Sequence, residues 1–246
     1  MTGSPRRLNV EVPGEQVVTA RFYEVPTGHS RLGVTLVLGH GAGNGQISSF
    51  MVEFATNLSA RGLDVMTFDF LYMARGQKMP DSPRRLEDCY RAAIVAARTC
   101  SHRLGNKIAI GGKSLGGRIA SQVVADSEPS AISNVIGLVF LGYPLHPPGK
   151  PSRLRTAQFA HVKMPMLFLQ GARDAFGTPM ELRQILSSFV SNVTVHEVEG
   201  GDHSFKVLKR SGFSQNDVYS NTQDVIVGWL SKVRSEFKLL SSNSFA

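Results

Sequence analysis

Short apolar runs alternate with amphipathic segments along most of the chain. Strands that are buried on both faces of a sheet have almost continuously apolar sequences. Runs rich in Val, Ile, Leu and Phe therefore predict parallel strands at residues 35–39, 65–70, 107–111, 135–142, 166–170 and 193–198. Residues 16–25 alternate apolar with polar side chains, which predicts an antiparallel strand at the edge of the sheet.

Helical patterns separate these runs. Apolar residues recur at three- and four-residue spacing in segments 49–61, 84–100, 115–127, 179–189 and 222–237. Strands and helices that alternate in this way, joined by right-handed crossovers, predict an α/β fold: a doubly wound, mostly parallel sheet with helices on both faces. The ligand site of such a fold lies beyond the carboxyl ends of the strands.

The chain shows no internal boundary, although 246 residues could form one or two domains. We predict a single domain over residues 1–246, with frayed tails at 1–10 and 239–246. The proline-containing stretch 146–163 predicts a loop that forms a lid at most. No large cap domain is therefore expected.

The composition does not change the predicted fold, but the net charge indicates which kinds of partner the protein could bind. Apolar residues make up 42% of the chain and charged residues 19%, which is typical of globular proteins. The net charge of +8 favours anionic substrates, nucleic acid or an acidic protein partner. Basic residues cluster only as pairs, as at 6–7, 84–85 and 209–210, so nucleic-acid binding is not expected.

Two cysteines, Cys89 and Cys100, fall in one predicted helix. Eleven residues of helix separate them by about 16 Å, which no disulfide can bridge. Reduced thiols and the absence of a secretory apolar segment predict a cytoplasmic protein, with a nuclear location as the alternative. No apolar run is long enough to predict a membrane span.

The strand at 107–111 runs directly into Gly112-Lys113-Ser114-Leu115-Gly116, and a helical pattern follows. This is the G-x-S-x-G pattern in the strand–turn–helix context that a nucleophilic serine requires. The tight turn leaves no room for side chains two residues on either side of the serine, which explains Gly112 and Gly116. We predict Ser114 as the nucleophile rather than part of a chance glycine turn, and Lys113 as an ordinary solvated or rim side chain.

Small residues follow the strand at 35–39, in the segment His40-Gly41-Ala42-Gly43-Asn44-Gly45. Their backbone N–H groups can approach a substrate oxygen closely. We predict an oxyanion hole made by the backbone N–H of Leu115 together with that of Ala42 or Gly43. A flexible glycine turn is the alternative interpretation of this segment.

The general base must be chosen among seven histidines by position. His203 follows the last strand and comes last in the order serine, acid, histidine that this architecture uses. Asp174 follows the strand at 166–170 and is the predicted acid; Asp69 precedes the serine in sequence, and Asp202 lies too close to His203 to turn back onto its ring. His40 is predicted to tie its loop to neighbouring backbone. The remaining histidines lie on predicted loops, helix ends or a strand: His29, His102, His146, His161 and His196.

The segments HGAG, GGKSLGG, LQGARD and GGDHSF together resemble the α/β-hydrolase superfamily over nearly the whole chain. FDFLYMARGQKMPD and FLGYPLHPPGKP resemble a small branch related to dienelactone hydrolases. That branch includes testis-expressed hydrolase-like proteins and the hydrolase-like domain of a subunit of the NSL histone acetyltransferase complex. The resemblance implies a serine hydrolase fold and, in some relatives, a binding role. Dienelactone hydrolases proper have a cysteine at the position of Ser114, so lactone specificity is not implied.

These observations predict a serine hydrolase of the carboxylesterase or thioesterase type, acting on a small or exposed acyl substrate through an acyl-enzyme. A hydrolase-like binding or scaffold protein is the main alternative, and a serine peptidase or acyl transferase is the next. The chemistry needs neither metal nor organic cofactor, and the sequence has no spaced ligand cluster or P-loop for one. A small acyl molecule is the expected partner, with a protein partner possible. We expect the entrance to be lined by Tyr72, Met73 and residues 143–146, unless these only pack in their loops.

Overall fold

The computed structural model describes residues 4–14, 16–187 and 192–243. Within them, eight strands form one sheet in the order β1-β2-β4-β3-β5-β6-β7-β8. The strands are β1 (Arg6–Val12), β2 (Gln16–Tyr23), β3 (Val34–Gly39), β4 (Asp64–Phe68), β5 (Lys107–Lys113), β6 (Val135–Leu141), β7 (Met166–Gly171) and β8 (Val193–Val198). The β1–β2 and β2–β4 pairs are antiparallel and all other pairs are parallel.

Helices cover both faces of the sheet. They are α1 (Ser49–Ala60), α2 (Leu71–Ala74), α3 (Pro83–Leu104), α4 (Leu115–Ala125), α5 (Pro179–Leu186) and α6 (Gln215–Asn243). Side chains of α1 and α6 belong to the apolar cluster on one face, and those of α3, α4 and α5 to the cluster on the other. The predicted doubly wound, mostly parallel α/β fold is confirmed.

Strand β3 shows why the central runs are apolar throughout. Leu36 and Leu38 pack in the cluster with α1 and α6, whereas Val37 packs in the cluster with α3 and α4. Successive side chains of a strand point to opposite faces, so a strand covered on both faces needs apolar residues at every position. All six residues of β3 are buried.

The predicted ends of the chain need correction. Residues 6–10 do not fray: β1 pairs with β2 over seven residues, and Val10 and Val12 are buried. The strand predicted at 16–25 is consequently second in the sheet, with β1 at the edge. The exposed charges of Arg6, Arg7 and Glu11 conceal the alternation that marks β1. At the other end α6 continues to Asn243, and residues 244–246 lie outside the described part of the chain.

The predicted loop at 146–163 contains a 3-10 turn at Ala157–His161 and packs on the body of the fold. Phe159 is fully buried against Phe140 and Phe168, and the side chain of Gln158 bonds Ser121 of α4. No cap domain stands over the sheet in the described residues. Both cysteines are unpaired and buried, and among the described residues no helix is long and apolar enough to cross a membrane.

Candidate active site

The loops that follow β3, β5, β7 and β8 meet at one end of the sheet. Because these four strands are parallel, their carboxyl ends lie at the same edge. Ser114 follows β5, Asp174 follows β7 and His203 follows β8. The fold thus brings together three side chains that are separated by up to 89 positions in sequence.

Ser114 occupies a sharp turn between β5 and α4. Its φ of 49° and ψ of −110° are unusual for a residue with a side chain and store backbone strain. A Cβ atom on Gly112 would lie 2.2 Å from the carbonyl oxygen of Gly39, and one on Gly116 would lie 2.1 Å from the same oxygen. Only glycine fits at either position, as the G-x-S-x-G pattern predicted.

A chain of hydrogen bonds links the three side chains. His203 Nε2 lies 2.9 Å from Ser114 Oγ, and His203 Nδ1 lies 2.7 Å from Asp174 Oδ2. An ionised carboxylate only accepts hydrogen bonds, so Nδ1 carries the hydrogen and Nε2 is left to accept from the serine hydroxyl. The side chain of Asp174 is fully buried, whereas that of His203 is 22% exposed.

Two residues that the sequence analysis did not identify hold this chain in place. Gln170 Nε2 donates to Asp174 Oδ2 over 2.8 Å, and the backbone N–H of Phe176 donates to Oδ1 over 2.8 Å. The Phe176 ring also lies against the imidazole of His203, with 4.3 Å between ring centroids. Of these two residues, only Gln170 could have been found from the sequence, because it is a polar residue near the end of the otherwise apolar strand β7.

The two segments that were predicted to form an oxyanion hole both contribute residues to the pocket over Ser114. Leu115 is the first residue of α4, where N–H groups have no partner within the helix. No described residue accepts a hydrogen bond from the N–H of Leu115 or of Ala42. Both residues line the pocket, together with Gly41 and Asn44, whereas Gly43 is absent from its described wall.

The rejected candidates have structural partners. His40 Nε2 accepts the N–H of Phe70 and Nδ1 donates to Gly41 O, so His40 ties its loop to backbone as predicted. Burial lowers the pKa of His40, which favours the neutral ring.

The two rejected aspartates hold loops beside the site. Asp69 accepts both the backbone N–H and the side-chain amide of Gln46, each over 2.8 Å, which fixes the end of the loop after β3. Asp202 accepts the N–H groups of Ser204 and Lys206 and shapes the turn that carries His203.

Lys113 is not the solvated side chain that the sequence predicted. Strand β5 continues through Lys113, which pairs with Leu141 of β6, so its side chain leaves the strand beneath the loops. The residue is 8% exposed, and its ammonium nitrogen has no hydrogen-bond partner among the described residues. Burial lowers the pKa of Lys113 to about 8. The nitrogen lies 5.8 Å from the centre of the Phe50 ring.

An open pocket of about 520 Å³ lies over Ser114 and His203. Its apolar wall comes from α1, the Asp174 loop and α6, through Phe50, Met51, Phe176 and Tyr219. Its basic side chains are Lys113, Arg118, Arg155 and Lys206.

Of the residues predicted to line the entrance, Pro144 does so. Tyr72, Tyr143, Leu145 and His146 are buried, and neither they nor Met73 belong to the described wall of the pocket. Among the described residues no group of three or more His, Cys, Asp or Glu side chains is arranged to hold a metal.

Comparison with known proteins gives one family match and many similar folds. Residues 33–231 match the family described as "Alpha/beta hydrolase domain". An alpha-beta serine hydrolase homologue from Coxiella burnetii has a similar structure, with a TM-score of 0.68, 16% identity and coverage of 92% of this chain and 97% of that one.

Two further solved structures show the same likeness. A serine hydrolase without lid from Xanthomonas campestris gives a TM-score of 0.68 at 17% identity, covering 93% of this chain and 96% of its own. A dienelactone hydrolase from Anabaena variabilis gives a TM-score of 0.63 at 20% identity, covering 90% of this chain and 97% of its own. At these identities the likeness is one of fold.

Proposed function

The chain belongs to the alpha/beta hydrolase domain family, and on that premise we propose that it is a serine hydrolase of the carboxylesterase or thioesterase type. One observation carries the proposal. Ser114 Oγ, His203 and Asp174 form a continuous hydrogen-bonded chain beneath an open pocket. A serine that donates to a histidine, which in turn donates to a buried carboxylate, is the arrangement that activates a hydroxyl as a nucleophile.

Acylation begins when Ser114 Oγ attacks the substrate carbonyl while His203 Nε2 takes the hydroxyl proton. The carbonyl oxygen becomes an oxyanion, which accepts hydrogen bonds from the backbone N–H groups of Leu115 and Ala42. Ala42 is preferred to Gly43 because it lines the pocket. The amino end of α4 adds a favourable dipole at this point. His203 then returns the proton to the leaving alcohol or thiol, and the acyl group stays on Ser114.

Deacylation repeats these steps with water. His203 removes a proton from water, the hydroxide attacks the acyl-enzyme, and the acid leaves as Ser114 Oγ regains its proton. Asp174 keeps the imidazole in the required tautomer and stabilises the imidazolium that forms in each half-reaction. Water reaches the site readily because His203 is partly exposed and no cap formed by the described residues covers the pocket.

The open pocket supports a small or exposed acyl group as the substrate. A volume of about 520 Å³ is in the usual range for sites that bind small molecules. Membership of the branch that contains the NSL-complex hydrolase-like domain stays a prediction, as do a protein partner and a cytoplasmic or nuclear location.

Trapping the acyl-enzyme tests the proposal. The protein is mixed with 4-nitrophenyl acetate, butyrate and an acyl thioester, quenched in acid and weighed by intact mass spectrometry. We expect one added acyl group on the wild type and on Ser49→Ala, in which another serine of the pocket wall is removed. We expect none on Ser114→Ala. An adduct that persists on Ser114→Ala, or no turnover of any ester by folded wild type, would contradict the proposal.

A further inference from the structure

The pocket over Ser114 has an unusual balance of charge. Lys113, Arg118, Arg155 and Lys206 contribute to its wall, and no aspartate or glutamate does so among the described residues. The two acids closest to the chemistry, Asp174 and Asp202, are engaged by His203 and by backbone N–H groups. The space that a substrate enters is therefore positive.

The basic side chains of the pocket wall differ from several other arginines of the protein, which have carboxylate partners. Arg31, Arg61, Arg91 and Arg183 each form an ion pair with a carboxylate. In the described part of the chain, none of the four basic residues of the pocket forms such a pair. Since no ion pair among the described residues takes up these charges, they are available to a ligand.

Arg118 and Arg155 are the two guanidinium groups of this set. Arg118 lies on α4, one turn beyond Ser114, and its backbone N–H donates to the carbonyl oxygen of Ser114. Both residues line the pocket, about 6 Å apart along the helix axis. Arg155 comes from the connection between β6 and β7, and its Nη1 donates to the carbonyl oxygen of Pro144, itself on the pocket wall.

The two arginines are also close enough to repel each other. Burial first, and then the positive charge of Arg118, lower the pKa of Arg155. Both guanidinium groups are partly buried and form no ion pair among the described residues, so their mutual repulsion has an energetic cost in the empty pocket. An anion between them relieves that cost, and a guanidinium recognises carboxylate and phosphate through paired N–H donors.

We propose that Arg118 and Arg155 bind an anionic oxygen group, a carboxylate or a phosphate, on the ester or thioester that Ser114 cleaves. The proposal rests on the serine hydrolase function and names its substrate class. The spacing along α4 places the anionic group a few bonds from the scissile carbonyl. Lys113 and Lys206 strengthen the positive field of the pocket without contacting the group.

Matched esters test this substrate class on either side of the scissile bond. On the acyl side, the 4-nitrophenyl monoester of adipate is compared with 4-nitrophenyl 6-methylheptanoate, which has the same shape without the charge. On the leaving-group side, 4-acetoxybenzoate and 4-acetoxyphenyl phosphate are compared with neutral 4-acetoxybenzamide. After correction for spontaneous hydrolysis, we expect kcat/KM for at least one anionic ester to exceed that of its neutral counterpart about tenfold or more. The two charged leaving groups distinguish a carboxylate from a phosphate.

Variants that each remove one positive charge show which side chains cause the preference for anionic esters. We expect Arg118→Gln and Arg155→Gln each to lower the ratio of anionic to neutral kcat/KM about tenfold. Lys150→Gln removes a positive charge from the same connection, but Lys150 is exposed and absent from the described wall of the pocket. We expect that control to leave the ratio unchanged. The anion site would be overturned if neutral esters were hydrolysed as well as anionic ones and if the ratio of anionic to neutral kcat/KM were the same in all variants. The serine hydrolase function would not be affected by that result.

A binding measurement keeps the test independent of turnover. Adipate, 4-hydroxybenzoate, 4-hydroxyphenyl phosphate and neutral 4-hydroxybenzamide are titrated calorimetrically into Ser114→Ala, alone and combined with Arg118→Gln or Arg155→Gln. We expect at least one of the three anions to bind, the neutral amide to bind at least tenfold more weakly, and each arginine substitution to weaken anion binding about tenfold. Equal affinities, or no anion binding, would overturn the proposal even if no ester is hydrolysed.

Discussion

Two buried carboxylates lie at opposite ends of the sheet and have different partners. Asp64, at the amino end of β4, accepts from the backbone N–H of Val25, from Arg31 Nη1 and from Asn106 Nδ2. Asp174, beyond the carboxyl end of β7, also has three donors. Burial and the number of donor groups therefore do not separate Asp64 from Asp174, the acid that we propose to be catalytic.

The partner of each carboxylate makes the difference. Arg31 is always charged, and its pair with Asp64 ends the network. His203 is 22% exposed and extends the network to the hydroxyl of Ser114. We propose that Asp174 assists proton transfer through His203, whereas Asp64 holds neighbouring segments together.

The largest expected effect comes from Asp174→Asn. The amide can donate to His203 Nδ1, which favours the tautomer that no longer accepts from Ser114. We expect kcat for ester hydrolysis to fall about 10⁴-fold with little change in melting temperature. Stopped-flow assays and thermal unfolding of the same preparations measure both. A loss of activity below tenfold in well-folded protein would contradict the role given to Asp174.

The matched substitution at the opposite end of the sheet is Asp64→Asn. It leaves Arg31 without its carboxylate, and since that arginine side chain is 38% exposed, water compensates in part. We expect the free energy of unfolding to fall by about 2–3 kcal/mol, with kcat of the folded protein unchanged. Urea unfolding and ester assays measure the two quantities. A large fall in kcat at full folding would remove the distinction between the two acids.

Lys113→Met tests a buried charge beside the site. Because burial lowers the pKa of Lys113 from 10.5 to about 8, the folded state binds this proton less tightly than the unfolded state. Below pH 8 both states are protonated and the cost of burying the charge is complete. Between pH 8 and 10.5 the folded state alone loses the proton, so the wild type gains stability as pH rises.

We expect Lys113→Met to be more stable than wild type by about 1–3 kcal/mol at pH 7. The difference in the free energy of unfolding between the variant and the wild type should shrink as the pH rises toward 9.5. Urea unfolding at both pH values gives the measurement. A less stable variant at pH 7, or a difference independent of pH, would show that the ammonium group is stabilised by contacts.

The smallest effect is expected for Arg31→Lys. A lysine keeps the charge opposite Asp64, and the position is partly exposed, so we expect a loss of about 1 kcal/mol or less. Chemical denaturation measures it. A loss as large as that of Asp64→Asn would mean that the guanidinium geometry, rather than the charge, holds this end of the sheet.

Much of the fold could be predicted because its central strands are buried on both faces. Their apolar runs gave boundaries within one or two residues for β3, β4, β5, β6 and β7. The positions of Ser114, Asp174 and His203 could be predicted for a related reason. Each follows such a run directly, and parallel strands bring their carboxyl ends together.

The features that the sequence analysis did not predict depend on which side chains surround a residue in the folded protein. The order of apolar and polar residues along the chain does not contain that information. Strand β1 is half exposed and charged, so its alternation is weak. Lys113 looks like any surface lysine until the extension of β5 buries it. Phe176 and Asp64 acquire their roles only from partners distant in sequence, His203 and Arg31.

A fluorophosphonate probe, followed by intact mass spectrometry, tests the central claim most directly, because only an activated serine reacts with it. We predict a single adduct on wild type and on Asp64→Asn, none on Ser114→Ala, and strongly slowed labelling of His203→Ala and Asp174→Asn. If folded wild-type protein shows no adduct, or if Asp174→Asn is labelled as fast as Asp64→Asn, the account of the Asp174 end as the reactive centre is contradicted.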